Sequence, residues 1–575
     1  MHRACSRRDA SARVTAAIAA AAILLGTLAL ATFLTPQAAA AGLDGRCATP
    51  AVRALPTGAG PGDTTAPGPA DRPPLNPQVG DSWLWYIWRL NGPPQADLRM
   101  CTVRGMGPNC YVVVEDSRWN VVMNQAKVDH IIARFEQESI GPHPDQGIYD
   151  INVAAFGTPP DRLDNDPRIY ILYYDFDVNS DGFFWYFDEF PNGQFPYASN
   201  ECEVVYLNDS GPDPAGDYMI GVLAHEFEHM IHFEHDEDEV AWVDEGLAEV
   251  AMYLYGHPDQ VSMFNSNPDN NLTVFNGAWA DYIKTYLWSL YFYERFGGEA
   301  ALYDVVHQPA NSTAGYDLVL DSRGYVEDFD DAFADWTVAN YLDDTSIGDG
   351  RFGYVGEDLP AFNHAANHAT YPVGPLNTTV NHWAADYQQY TNAATGLEHS
   401  FDGNDLTTFA VWALELDATL PTRVTRVPLS TTQAGSIDLP DVGTLYDRAV
   451  MVIAGTSAAG GTNYTYSAAT GITAIAGGGA PGVMAPFLSA PAPNPFAPAT
   501  AVRFALPAAG PVRLQVYDAG GRACRTLVDG PLAAGEHMAR WDGRDGAARE
   551  LANGIYFLRL EAGGEERTVR AVLSR

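Results

Sequence analysis

The apolar positions of this chain change their period along its length. After a turn-rich entry at Asp209, Ser210, Gly211, Pro212, Asp213 and Pro214, the residues Met219, Ile220, Leu223, Phe227, Met230 and Ile231 recur at helical spacing. The acidic run Asp236–Glu239 cannot continue that face and is expected as an exposed loop. A second helix is expected from about Asp244, carrying Leu247, Val250, Ala251 and Leu254. Helices are also predicted over 124–138, with Val128, Ile131, Ile132 and Phe135 on one face, over 278–298, where Gly297 and Gly298 stop the pattern, and over 328–340. Strands are predicted where β-branched and aromatic residues crowd into short runs, at 111–115, 168–174 and 203–207.

From about Tyr371 the helical period fades. Short runs such as 409–414 and 449–453 alternate with turns, which reads as an all-β accessory domain over 371–469. Two stretches rich in Gly, Ala and Pro, 41–79 and 470–492, read as a linker or short pro-segment and as a linker. The chain thus divides into 1–40, 41–79, a mixed α and β unit over 80–350, the β region over 371–469, a linker, and a terminal unit over 493–575.

Composition narrows the classes. The chain has 575 residues, enough for two to four domains, and 46% hydrophobic content marks it as globular. Its 33 basic and 72 acidic residues give a formal charge of −39, which argues against nucleic acid and against an anionic membrane surface as partners. Arg3, Arg7, Arg8 and Arg13 precede an apolar run over 14–34, and Ala38-Ala39-Ala40 supplies an A-x-A site, so residues 1–40 read as a signal peptide. Of the cysteines beyond the leader, Cys101 with Cys110 is the best candidate disulfide, Cys47 with Cys202 is a second, and Cys524 is left over.

The chemistry concentrates in 225–249, HEFEHMIHFEHDEDEVAWVDEGLAE. On a helix, His225 and His229 stand one turn apart on one face and can share a Zn²⁺, and Glu226 can act as general base on the attacking water. A third protein ligand has two candidates, Glu245 and His235. The segment Trp242-Val243-Asp244-Glu245-Gly246-Leu247-Ala248-Glu249 resembles the gluzincin pattern, in which a glutamate on the next helix completes a His-His-Glu site. Glu249, one turn beyond Glu245, then suits a partner for the free N–H of a ligand histidine. His235 stands where metzincins place a third histidine, but His232 replaces the glycine that lets their helix turn back, which favours Glu245. Glu228 and Glu234 are expected to face solvent, and His232 to be packed or solvated.

Together, HEFEHMIHFEH and WVDEGLAE are similar to the hyicolysin-like peptidases over about residues 80–345. That resemblance implies an α+β zincin-like metallopeptidase domain, zinc on His225, His229 and Glu245, and Glu226 as base. In zincins the strand before the metal helix is an exposed sheet edge that pairs with a peptide substrate. Glu203, Val205 and Tyr206 would form that edge, with Tyr206 lining the cleft. Tyr282 and Tyr286 are candidates for stabilising the oxyanion. Asp177, Asn179 and Asp181, with Gly182 at the sixth position and Asp188 at the twelfth, match part of an EF-hand loop and make a candidate Ca²⁺ site. Asn494-Pro495-Phe496, Val512–Asp518, Trp541-Asp542-Gly543 and Asn553-Gly554-Ile555-Tyr556-Phe557 resemble the FlgD-like immunoglobulin fold, which is related to sorting domains of the type IX secretion system.

The resulting expectation is a multidomain bacterial protein: a metallopeptidase domain followed by all-β sandwich domains. It would be a monomer, secreted or held at the cell surface, acting on a protein or peptide, with its C-terminal domain engaging secretion or surface machinery. Two other classes fit the same residues: a zinc amidohydrolase that cuts no peptides, and a relict domain serving adhesion.

Overall fold

The computed structural model describes residues 47–55, 73–458, 460–471, 487–488, 491, 496–497, 499–506, 509–518, 521–532, 535–547 and 549–574. The signal peptide, most of both linkers, and Asn494 and Pro495 lie outside the described residues. The chain divides into two compact units, Met1–Gln260 with Phe275–Leu290, and Val261–Val274 with Tyr291–Arg575.

The first unit is built on a six-stranded sheet of order β1-β2-β3-β4-β6-β5. Strands β1 (Ser82–Arg89) and β2 (Gln95–Met106) form an antiparallel hairpin. In β3 (Cys110–Glu115), β4 (Ile169–Tyr174) and β6 (Val204–Asn208) every residue is buried, as suits strands covered on both faces. They run parallel to one another. The connection from β3 to β4 carries α2 (Gln125–Glu136), capped by the Asn124 side chain on Lys127 N–H, and α3 (Ile148–Phe156). Strand β5 (Gly182–Phe184) pairs antiparallel with β6 and closes this end of the sheet.

Two consecutive helices follow the sheet. Helix α4 (Asp217–His235) is buried from Met219 through Phe233, and α5 (Ala241–Tyr255) is buried over most of its length. Helix α6 (Trp279–Phe296) packs closely on α5 within this unit: a Cβ at Gly246 would stand 2.5 Å from Ser289 Oγ. A further short helix, α1 (Thr49–Arg53), lies inside the stretch expected to be a linker.

The second unit holds α7 (Glu299–Val306), α8 (Thr313–Arg323) and α9 (Phe329–Leu342). Two antiparallel sheets follow. One has the order β11 (Ala434–Leu439), β8 (Leu397–Gly403), β13 (Asn463–Thr470), β7 (Val373–Thr379), and the other β10 (Arg423–Arg426), β9 (Phe409–Leu416), β12 (Arg448–Gly455). They share a core that includes Tyr390, Leu397, Val411, Met451 and Tyr464. A separate pair of sheets follows within 487–573, around Trp541, Leu514, Val516 and Leu558.

Several expectations are corrected here. Strand β6 is not an edge: β5 covers it, and Tyr206 is buried, donating to Asp188 Oδ2 at 2.6 Å and accepting from Asn200 Nδ2 at 2.7 Å. Glu203 is likewise buried, its Oε1 accepting from Arg162 N–H, and Val205 packs in the sheet interior. All five described cysteines are free. The β2–β3 register sets Cys101 opposite Glu115, whereas Cys110 sits at the turn beside Gly107, so the two thiols occupy opposite ends of the strand pairing. Asp236 and Glu239 turn inward, and only Glu237 and Asp238 of the acidic run are exposed.

Candidate metal centre

His225 and His229 sit in mid-α4, where the helical repeat sets them on one face. Their Nε2 atoms approach to 3.1 Å. From α5, Glu245 Oε2 lies 3.4 Å from His225 Nε2, and Oε1 lies 3.5 Å from His229 Nε2. A fourth donor comes from far upstream, Cys47 Sγ, 3.5 Å from His229 Nε2. All four side chains are buried, and one donor atom from each falls within 4.8 Å of the others.

What lies behind each ring decides what the cluster can hold. Glu249 Oε1 is 3.4 Å from His225 Nδ1, and Asp244 Oδ1 is 3.1 Å from His229 Nδ1. Carboxylates in those places favour the proton on Nδ1 and leave the lone pairs on Nε2, aimed at a common point. Neither oxygen of Glu245, fully buried, accepts a hydrogen bond. Two Nε2 lone pairs, a buried carboxylate that accepts no hydrogen bond and a sulfur converging on one point make a donor set suited to a cation. Around a tetrahedral Zn²⁺, N, O and S donors stand about 3.3 to 3.6 Å apart. The observed spacings and the donor chemistry fit such an ion.

Glu226 projects beside this cluster and is fully buried. Its Oε2 accepts from Thr49 Oγ1 at 3.0 Å and lies 3.5 Å from Cys47 Sγ. Burial raises its pKa against the pull of His225 and His229, which suits a group that takes up a proton. Strand β5 passes so close that a Cβ at Gly182 would stand 2.8 Å from Glu226 Oε1. Tyr282, on α6, accepts from Cys47 N–H at 3.4 Å and donates to Cys47 C=O at 3.3 Å.

Electrostatics around the centre are strongly coupled. Burial works against the charge of Asp244, but Arg53, His229 and His232 outweigh it and hold the carboxyl far below its usual range. Arg53 Nη1 stands 3.2 Å from Asp244 Oδ2. Burial pushes His232 down to about 3, so this histidine is neutral at ordinary pH. Glu228 corrects the expectation of a solvent-facing charge: it is fully buried, 3.3 Å from His232 Nδ1, and burial and Asp244 raise it well above the usual carboxylate range. The reason is its position at i+3 from His225, on the ligand face of α4.

His235, the alternative third ligand, is not in the cluster: at the end of α4 it faces Thr158 C=O, its Nε2 3.0 Å from that oxygen. The four candidate calcium ligands do not converge either. Asp177 accepts from Leu90 and Asn91 N–H, Asn179 is exposed, Asp181 accepts from Tyr218 O–H, and Asp188 is buried on Asn200 N–H and Tyr206 O–H. No group of metal-ligand side chains forms there among the described residues. Sequence reasoning did not find Cys47, Thr49, Arg53, Asp244 or Gly182. Asp244 had a usable signal, a carboxylate next to the candidate ligand Glu245 on a helix facing α4. Cys47 and Thr49 had none, because their contacts reach across most of the unit.

Residues 497–566 match the FlgD Ig-like domain. No curated protein matches the chain. Among solved structures it is similar to FlgD from P. aeruginosa, with 21% identity over 16% of this chain and 76% of that one, at a TM-score of 0.13. PorZ, a bacterial surface component of the type IX secretion system of Porphyromonas gingivalis, aligns at 20% identity over 20% of this chain, with a TM-score of 0.13. Dimeric latent PorU from the same organism aligns at 12% identity over 37% of this chain, with a TM-score of 0.16. The chain spans only 14% and 19% of those two proteins. No helix among the described residues is long and apolar enough to cross a membrane.

Proposed function

We propose that the chain is a secreted zinc endopeptidase of the gluzincin type, with His225, His229 and Glu245 as protein ligands and Glu226 as general base. The observation that carries this reading is the approach of two imidazole Nε2 atoms and the Glu245 carboxylate, which accepts no hydrogen bond, around one point, with Glu226 beside it. Bound zinc would supply a Lewis acid that acidifies water and polarises the scissile carbonyl. Glu226 takes the proton of the attacking water on its carboxylate and passes it to the departing amine nitrogen. Asp244 and Glu249 hold the two ligand rings in orientation. The Tyr282 hydroxyl is the candidate donor to the oxyanion. Strand β5, not β6, is the sheet edge beside Glu226, and its main chain is the candidate register for an extended peptide.

Secretion is supported by the leader pattern over 1–40 and by the FlgD Ig-like match, and the terminal domain is the candidate contact with bacterial secretion or surface machinery. The test uses unfolded casein and a chain carrying Cys47→Ala, so that no thiol competes at the centre. Hydrolysis that a chelator stops, and that Glu226→Gln abolishes while bound zinc is retained, is the expected result. Hydrolysis indifferent to the chelator, or undiminished by Glu226→Gln, overturns the reading. Zinc bound with no hydrolysis of any protein points instead to a binding protein.

A further inference from the structure

We propose that residues 47–53 form an autoinhibitory strap that holds this chain latent, with the Cys47 thiolate as fourth ligand to the metal. The inference rests on the zinc reading above and adds its regulation.

One short segment engages every group that the reaction would use. Cys47 Sγ stands 3.5 Å from His229 Nε2, within the same cluster as His225 and Glu245. That is the fourth donor position, which a hydrolytic zinc must leave open to water or substrate. Thr49 Oγ1 donates to Glu226 Oε2 at 3.0 Å, tying up the base. Tyr282 O–H is turned onto the Cys47 carbonyl. The backbone completes the blockade: Ala48 N–H donates to Gly182 C=O at 3.1 Å, and Phe184 N–H donates to Thr49 Oγ1 at 2.9 Å. These are the outward-facing groups of the edge strand β5, the ones an extended peptide would need. Cys47 also bridges Gly182 in the parallel sense.

The strap is fastened at its far end. Arg53, the last residue of α1, pairs with Asp244 Oδ2 at 3.2 Å and stacks over Phe233 at 5.9 Å. Val52, Thr49 and Ala48 are each no more than 2% exposed. Asp244 therefore serves the rings of His229 and His232 on one oxygen and the strap on the other. With a metal bound, Cys47 would hold it as the thiolate, its proton released to water, and opening of the strap would return that donor position to solvent.

The experiment loads the full chain and its Cys47→Ser variant with Co²⁺ in place of zinc and records the near-ultraviolet thiolate-to-metal charge-transfer band. Metal content and casein hydrolysis are measured alongside. The expected result is a band in the unaltered chain that Cys47→Ser removes, equal metal content, and hydrolysis at least about tenfold faster in the variant. Ala48→Pro guards against a misfolded cysteine variant: it keeps the thiol, removes the N–H given to Gly182, and should also raise hydrolysis. Metal bound with no charge-transfer band, or with a band unchanged by Cys47→Ser, overturns the strap and leaves the zinc centre standing. Equal hydrolysis in all three chains does the same. Failure of every chain to bind metal overturns the zinc reading itself, and the strap with it.

Discussion

Two stretches of the first unit carry ligand-type side chains at motif spacing, His225–Glu249 and Asp177–Asp188, and they end differently. In the first, the donors project from two packed helices whose backbone amides are satisfied within the helices, so the side chains are left to one another and to the short segment that carries Cys47, Thr49 and Arg53. In the second, the carboxylates stand beside neighbouring segments whose backbone N–H groups need acceptors. Asp177 is taken by Leu90 and Asn91, and Asp188 by Asn200. Spacing alone therefore does not make a site. A ligand set survives where the scaffold supplies its own hydrogen bonds, and it is spent where the scaffold must borrow them.

The largest effect should come from removing a donor. In the Cys47→Ala background, Glu245→Ala is expected to lose both bound zinc and hydrolysis, measured by metal analysis and casein turnover, whereas His235→Ala should change neither. Loss with His235→Ala alone would break the assignment of the third ligand. Next, Glu226→Gln should cut turnover by about 10²- to 10⁴-fold with zinc retained. Smaller again, Glu249→Gln should weaken zinc affinity by about 10- to 100-fold, read by competition with a chromophoric chelator.

The loop gives a prediction of the opposite kind. Burial raises Asp188 to about 7, so the folded state holds its proton more tightly than the unfolded chain does. Its contribution to stability is full below about pH 4 and is lost as pH climbs through 7. Denaturant titrations at pH 5 and pH 8 should show a fall in the unaltered chain that is smaller by about 2 to 3 kcal/mol in Asp188→Asn. Finally, added calcium should leave the melting temperature unmoved. A rise that Asp177→Asn and Asp181→Asn abolish would put an ion in the loop after all.

The long elements were legible because periodicity is local. The apolar stripe of Met219, Ile220, Leu223 and Phe227 marks α4, and β3, β4 and β6 stand out as short buried runs. The position of His225, His229 and Glu245 follows from the helical repeat and one loop, and Glu249 falls one turn on. What was not legible depends on pairing between distant segments. Strand β5 is three residues long, too short to carry a pattern, so β6 read as the edge. Gly182 read as the glycine of a calcium loop, whereas its lack of a side chain makes room for Glu226. Cys47 sits in a stretch whose Pro, Gly and Ala content signals a linker, and composition does not reveal that a few residues within it fold onto the candidate metal centre.

The hydrogen bond from Ala48 to Gly182 joins two parts of one molecule, and under the proposed strap that fact governs how inhibition would scale. A tethered inhibitor acts at an effective concentration of roughly millimolar order, set by the tether and indifferent to dilution. Cutting the chain between Leu55 and Pro73 would turn a first-order equilibrium into a second-order one. The freed peptide would then leave in dilute solution and return in concentrated solution. Activity after such a cut would depend on how crowded the nicked chain is with its own released fragments, and the same sample would be silent in a concentrated stock and active once dispersed.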